Sequence, residues 1–341
     1  MKKKAIITGI MGQDGSYLAK FLLKKNYTVF GTYRKKSYDE NNRLKKLKIK
    51  NKVKLLNINI RNIIEVKKIV KKIKPNEIYN LAAVASVKSS FAKPIYTMNV
   101  NCISLLNILE AVKEFSKETK IYQASSSEMF GNSKRYKINE KTSFSPVSPY
   151  GISKVAAHYL IKFYRDAYKL KCSSGILFNH ESNLRGENFV TKKIVKQLHE
   201  IKNNKRSVMY LGNIYSKRDW GYAPEYVEAM WKILQLKKLD DFVIATGKSY
   251  TIKYFVNLVC KNLQISSEWK GKGVNEVCVN KKTKKIIIKI NKKLYRPIDV
   301  KPIVGVSKKA MKYLNWKPKT FIKDLVYNMC SYEINEKNFN S

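Results

Sequence analysis

Lys4-Ala5-Ile6-Ile7-Thr8-Gly9-Ile10-Met11-Gly12-Gln13-Asp14-Gly15 is the stretch that decides the fold. A short run of strand-forming residues stops at Thr8-Gly9, too soon for the apolar core of a leader peptide, so the basic opening before it introduces a buried first strand. Gly9, Gly12 and Gly15 then recur with GxxGxxG spacing, and an amphipathic stretch over residues 13–25 follows. Strand, glycine turn and helix in that order suit a dinucleotide. The glycines let the backbone turn sharply and approach a pyrophosphate, whose charge meets the helix N-terminus. Gly9, Ile10, Met11, Gly12, Gln13, Asp14 and Gly15 are therefore the predicted cofactor loop; the bland alternative is a structural turn.

Working outward, short β-rich runs at 28–32, 53–57, 77–81, 121–125 and 172–177 alternate with helical stretches at 62–72, 98–115 and 149–168. That alternation predicts an α/β fold, a doubly wound parallel (Rossmann) sheet binding its ligands beyond the carboxyl ends of the strands. Residues 1–178 form the expected nucleotide domain. Over 179–330 the pattern loosens into a smaller, mainly substrate-binding cap, with some segments returning to the first domain. Its expected elements are helices at 189–201, 222–236 and 307–314, a strand at 241–245, an isolated strand at 285–290 and a last helix. Residues 335–341 read as a frayed tail.

The 341 residues carry a formal charge of +44, which raises a nucleic-acid reading. Only nine of the 69 basic residues are arginine, and the lysines spread along the whole chain among abundant Asn, Ile and Tyr. That is a compositional bias rather than a patch, so no nucleic-acid partner is expected, although a positive field favours a polyanionic ligand. The five cysteines (102, 172, 260, 278 and 330) contain no CxxC pair. This argues against a metal site or a disulfide framework and suits a reducing cytoplasm. No apolar run reaches the roughly 18 to 20 residues of a membrane helix, so no membrane association is expected.

Two further segments carry chemistry. At the end of the second strand, Arg34-Lys35-Lys36-Ser37 offers cations where NAD-selective sites place an acid, which points to NADP. Downstream, Ser126-Ser127-Glu128 ends the fifth strand, and Pro149-Tyr150-Gly151-Ile152-Ser153-Lys154 opens a helix with proline in its first turn. Tyr150 and Lys154 share a helix face. An ammonium beside a phenol favours the phenolate, making Tyr150 a base, while the Ser126 hydroxyl can bond a developing carbonyl. Ser126 and Glu128, two apart in extended chain, would point to one side. A Tyr and a Lys four apart are commonplace in so lysine-rich a chain; their place after the fifth strand of a nucleotide fold makes them candidates. The extra carboxylate matters most. A simple alcohol dehydrogenase needs no second base, whereas a dehydratase does.

These residues resemble the GDP-mannose 4,6-dehydratases of the extended short-chain dehydrogenase/reductase superfamily. The likeness runs from about residue 4 to 318. It is most specific at Gly12-Gln13-Asp14-Gly15-Ser16-Tyr17-Leu18, Tyr122-Gln123-Ala124-Ser125-Ser126-Ser127-Glu128, Phe178-Asn179-His180-Glu181-Ser182, Arg218-Asp219-Trp220-Gly221 and Tyr295-Arg296-Pro297. The resemblance implies that Tyr150, with Lys154 and Ser126, takes the O4 proton as C4 is oxidised, and that Glu128 removes the C5 proton before water leaves C6. It implies NADP contacts at Gly9–Asp14, Arg34–Ser37, Asn59, Ile60, Leu81, Ala82, Ala83, Val84, Ala85, Tyr96, Lys154, His180 and Arg185. Ser86, Asn179, Lys193, Arg218 and Arg296 would meet the GDP-sugar. It also implies a homodimer or homotetramer in which the segment after strand two reaches across subunits. The chain departs from the family pattern in several places: Ser126 stands for Thr, Asn59 for Asp, Val84-Ala85-Ser86 for Gln-Ser-His, Asn183-Leu184 for Pro-Arg, and Tyr222 for His. The change at 84–86 leaves the hexose open, with a GDP-manno-heptose as the alternative; a reductase or epimerase is a further reading, against which Glu128 argues.

Overall fold

The computed structural model describes residues 2–34, 43–296 and 298–338. Its centre is a seven-stranded sheet: β1 (Lys4–Thr8), β2 (Thr28–Tyr33), β3 (Lys54–Asn57), β4 (Glu77–Asn80), β5 (Lys120–Ser126), β6 (Cys172–Leu177) and β7 (Phe242–Ile244). The spatial order is 3-2-1-4-5-6-7, and every pairing is parallel. Period-two geometry divides neighbouring residues between the faces. Ile6, Ile78 and Ile121 pair in register and pack against the helices at 63–73, 104–115 and 149–167. Ile7, Tyr79 and Tyr122, one residue on, pack against the helices at 13–24 and 223–235. Both faces of the sheet are therefore covered, as the apolar strands require.

The region after residue 178 differs more from expectation. The strand Ile286–Ile290 is not isolated: it lies between Val277–Asn280 and Met209–Leu211 in a four-stranded sheet that also includes Ser267–Lys270. A three-stranded sheet joins Asn179–Glu181, Lys217–Tyr222 and Ser249–Thr251. The helix Ile252–Asn262, absent from the sequence reading, buries Phe255, Val256 and Val259 beside Trp220 and Ile288.

The expected helix at 98–115 is longer, running continuously from Pro94 to Phe115. Its most apolar 18 residues have a mean hydropathy of 1.3, so by length and composition alone it could cross a membrane, although polar residues interrupt its apolar run. Here it is a core helix, burying Leu105, Ile108, Leu109 and Val112 against the sheet. Its segment Asn99–Ile103 is a π-helical turn, a widening that often accompanies function.

Candidate functional site

Hydrogen bonding at the carboxyl ends of the central strands builds the floor of the site. Thr8 Oγ1 donates to Asn80 Oδ1 at 2.7 Å and accepts from the backbone N–H groups of Leu81 and Ala82, each at 3.1 Å. Asn80 Nδ2 donates in turn to Gln123 Oε1 at 2.7 Å, linking the ends of β1 and β4 to the middle of β5. On this floor sits the glycine turn. Gly9 has φ +68°, and a Cβ there would lie 2.8 Å from Ala82 Cα; a Cβ on Gly15 would meet Gly9 O at 2.5 Å. Only glycine permits either approach. Ile10 and Met11 point into the core, so only their backbone is available to a ligand.

Gln13 and Asp14 have a second task that the sequence reading did not foresee. Gln13 accepts from Ser182 Oγ at 2.8 Å and donates to Asp14 and to the His180 carbonyl, tying the turn to the segment after β6. His180 Nε2 lies 2.8 Å from Asp14 Oδ2, and its ring stacks on Tyr226 with centroids 4.6 Å apart. Burial alone would raise the Asp14 carboxyl, but the His180 charge and hydrogen bond hold it down at about 2. For His180, burial favours the neutral ring, and Asp14 outweighs it and raises the pKa. Nearby, Arg185 pairs with Glu181 at 3.0 Å and lies 3.6 Å above the centre of the Phe189 ring.

The four candidate catalytic residues converge. Ser126, Glu128, Tyr150 and Lys154 line one cleft of about 660 Å³, together with Asp14, Leu81, Ala83, Ala85, Ser86, Asn179, His180, Arg185, Arg218 and Arg296. The extended geometry expected for Ser126 and Glu128 is not what brings them together. The chain leaves β5 in a 3₁₀ turn, Ser127–Phe130, which Ser126 caps by accepting from Glu128 N at 3.2 Å. Gly151 lets that turn approach the next helix, since a Cβ there would be 2.7 Å from Glu128 O. Ser148 caps the helix by accepting from Gly151 N at 3.0 Å.

Electrostatics then set the resting states. Burial pushes the Tyr150 phenol up to about 12, opposed by its hydrogen bond with Ser126 and reinforced by the Glu128 charge. Burial also pulls Lys154 down to about 8. Its ammonium does not bond the phenol; it donates to Ala124 O at 2.8 Å and stands 5.7 Å from the Tyr150 ring centre. One oxygen of Glu128 pairs with Arg296 at 3.0 Å, while the other is buried without a hydrogen-bond partner. Arg296 thus engages the candidate base in this state, and Arg218 pairs with Asp299 at 2.9 Å.

Other predicted residues are placed differently. Ser86 reaches the cleft but caps the helix Val87–Ala92, accepting from Ser89 N. Lys193 does not line the cleft; its Nζ donates to Tyr210 O at 2.7 Å. Ala82 and Val84 contribute backbone rather than cleft surface, with Val84 N donating to Asn101 Oδ1 at 2.8 Å. Arg34, Asn59, Ile60 and Tyr96 gather at the far end, beyond β2 and β3, where Arg34 donates to the Tyr96 hydroxyl. Lys35, Lys36 and Ser37 lie outside the described residues.

The family's sequence profile, GDP-mannose 4,6 dehydratase, matches residues 6–329. The chain belongs to the GDP-mannose 4,6-dehydratase family. It is 43% identical to the GDP-mannose 4,6 dehydratase of Drosophila melanogaster, covering 97% of this chain and 86% of the fly protein. The human enzyme of that name is 41% identical (97% and 91% covered), and that of Sinorhizobium fredii 38% (96% and 95%). Among solved structures, UDP-glucose 4-epimerase from Thermotoga maritima superposes with a TM-score of 0.81 at 20% identity, over 98% of this chain and 99% of that one. The dTDP-glucose 4,6-dehydratase of Bacillus anthracis, in complex with NAD, gives 0.79 at 19% identity, covering 98% of each. These structures establish the shared fold.

Asn101 is the residue that sequence reasoning missed in this member of the family. It sits in the π-helical turn, accepts from Val84 N, and donates to Ser153 Oγ at 2.9 Å; Ser153 Oγ in turn donates to Tyr150 O at 2.7 Å. It therefore links the loop after β4 to the helix bearing Tyr150. No local pattern announces it, because a single asparagine within a largely apolar helix carries no motif of its own. The departures from the family pattern are absorbed structurally: Asn183 accepts from Tyr17, Leu184 is buried, and Tyr222 precedes the helix Ala223–Gln235.

Proposed function

We propose that this protein converts GDP-mannose to GDP-4-keto-6-deoxymannose with NADP as a recycled cofactor. The observation that carries the reading is a carboxylate, Glu128, sharing one cleft with Ser126, Tyr150 and Lys154. The cradle fits a dinucleotide because Gly9 and Gly15 are packed where any side chain would collide. A nicotinamide held over this cradle would supply storage for the hydride that passes from C4 to C6. Tyr150 accepts the O4 proton, and Ser126 holds the oxygen that becomes the ketone. Lys154 supplies positive charge that helps bring a phenol resting at about 12 into range. The 4-ketone acidifies C5–H, and Glu128 takes that proton with its unpartnered oxygen. Glu128 or a neighbour then protonates the departing C6 hydroxyl, and C5 regains a proton after hydride return. No cofactor is consumed.

Asn179, Arg218 and Arg296 face the same cleft and suit a diphosphate, provided the substrate draws the arginines from Asp299 and Glu128. Small side chains at Ala85 and Ser86 support a second reading, the same dehydration on a GDP-manno-heptose. The five cysteines are buried free thiols, consistent with a reducing cytoplasm. Purified protein incubated with each GDP-sugar and catalytic NADP tests the reading. Loss of one water from GDP-mannose, without net cofactor reduction, is expected. Turnover of the heptose alone would select the second reading, and net NADPH oxidation would indicate a reductase.

A further inference from the structure

Two of the nine arginines meet on one aromatic ring far from the reacting carbons. Arg34, directly after β2, donates to the Tyr96 hydroxyl, and the Arg61 guanidinium carbon lies 5.3 Å from the centre of the same ring. In a parallel sheet ordered 3-2-1-4, a dinucleotide whose pyrophosphate rests on the turn after β1 lays one half over the ends of β2 and β3. The reacting half lies over β4, β5 and β6, where Tyr150 and Glu128 stand. Arg34, Arg61 and Tyr96 therefore occupy the adenosine side.

The orientation of Arg61 comes from Asn59. The Asn59 amide oxygen accepts from both the backbone N–H and the Nε of Arg61, each at 3.2 Å. Asn59 N donates to Glu65 at 2.8 Å, and the Asn62 side chain caps the following helix, so the loop is fixed at three consecutive points. A carboxylate at 59 would pair with the guanidinium and cancel its charge. The amide aligns Arg61 and leaves that charge intact, and no ion pair to Arg61 forms among the described residues. An aligned guanidinium with both terminal nitrogens clear of other protein partners, over the ring of a tyrosine that a second arginine also holds, matches the planar two-point recognition of a phosphomonoester. A solvated surface charge would account for a lysine in this chain. It does not account for a guanidinium held by a hydrogen bond and a ring.

We infer that Arg61 completes a clamp with Arg34 and Tyr96 that selects a phosphate on the adenosine ribose, and that the neutral Asn59 is what makes Arg61 available for it. The inference rests on the reading of the cleft as a dinucleotide site and adds the residue that chooses between NADP and NAD.

Calorimetric titration of NADPH and of NADH into the full chain tests it without turnover. Arg61→Ser is expected to weaken NADPH by about tenfold or more, the worth of one charge-assisted contact, while leaving NADH within about twofold. Asn59→Asp should weaken NADPH similarly with Arg61 still present, and Arg61→Lys should fall between wild type and Arg61→Ser. Equal losses for both nucleotides, or undiminished NADPH binding by Arg61→Ser, would overturn the clamp while leaving the dinucleotide site standing. A wild-type protein that binds neither nucleotide would overturn both.

Discussion

Glu128 has two unequal oxygens, one neutralised by Arg296 and one buried without a partner, and this asymmetry suits a base that works only after substrate arrives. A diphosphate that attracts Arg296 would remove the counter-charge from the carboxylate as it delivers the C5 proton. Glu128→Gln should therefore still oxidise C4, seen as a single-turnover rise in reduced nicotinamide, yet release no water; normal dehydration by this variant would remove Glu128 from the mechanism. Tyr150→Phe should lose both steps, with turnover down by about 100-fold or more. The Asp14–His180 pair makes a separate prediction about stability. His180, raised above its unfolded value of 6.5, stabilises fully below that pH and loses its effect as pH climbs through the folded value. Asp14, lowered from 3.8 to about 2, stabilises above 3.8 and loses its effect as pH falls toward 2. The pair is thus strongest between about pH 4 and 6.5. Thermal melts of wild type and His180→Asn should differ most inside that window and converge on the alkaline side. A gap that widens above pH 8 would contradict the assignment. Such pairings were not legible in the sequence: the residue types and their approximate place were, but not that His180 binds Asp14 or that Arg296 binds Glu128, because each pair joins residues more than 160 positions apart.

At the scale of elements, the strands and helices of the first half follow from local chemistry. Each strand is a short, largely apolar run, four of them ended by a polar residue (Thr8, Asn57, Asn80 and Ser126), and the predicted ends lie within a residue or so of the observed ones. The cap was harder to read because its strands are two to six residues long and take their partners from distant segments; Ile286–Ile290 depends on Met209–Leu211 as a neighbour. The helix Ile252–Asn262 starts at a Thr251 cap and is amphipathic, yet it abuts Ser249–Thr251, and the two signals overlap in sequence. The 3₁₀ turn after β5 shows what an element-level detail can control. Its position against the Tyr150 helix depends on Gly151, where a methyl group would press on backbone. Gly151→Ala should cost about 1–3 kcal/mol of stability through overpacking. It should lower turnover further, by up to about 100-fold, because it displaces Glu128 relative to Tyr150. Denaturation curves alongside steady-state kinetics would separate the two effects, and unchanged kcat would show that the turn tolerates the shift.

For the whole molecule, the charge of +44 and the surface it implies make the outward apolar face of two helices conspicuous. Ile152, Tyr159 and Phe163 recur at i, i+7 and i+11 along the helix Pro149–Ala167, one stripe on its outer side, and each is more than half exposed. Ile95, at 77% exposure, and Ile103, at 42%, extend apolar surface on the adjoining helical segment. Scattered exposed hydrophobics need no explanation, but a stripe on one helix beside apolar positions on its neighbour does. A second copy of the chain is the natural cover, because a two-fold axis would bring the same helices together and bury the same residues on both sides. An acidic or basic partner would find little to bind on this stripe. The expected state is therefore a homodimer through the 94–115 and 149–167 helices, whatever further association follows. Light scattering on the eluting peak should give twice the chain mass for wild type and one chain mass for the double variant Ile152→Glu, Phe163→Glu. Because both side chains already face solvent in the monomer, the double variant should keep the far-ultraviolet circular dichroism of the wild type. A dimer undiminished by both charges would place the interface elsewhere, and a wild-type monomer at assay concentration would leave the stripe without a role in assembly. If the interface forms here, it also braces the helix that carries Tyr150 and Lys154, so the monomeric variant should lose turnover along with its partner.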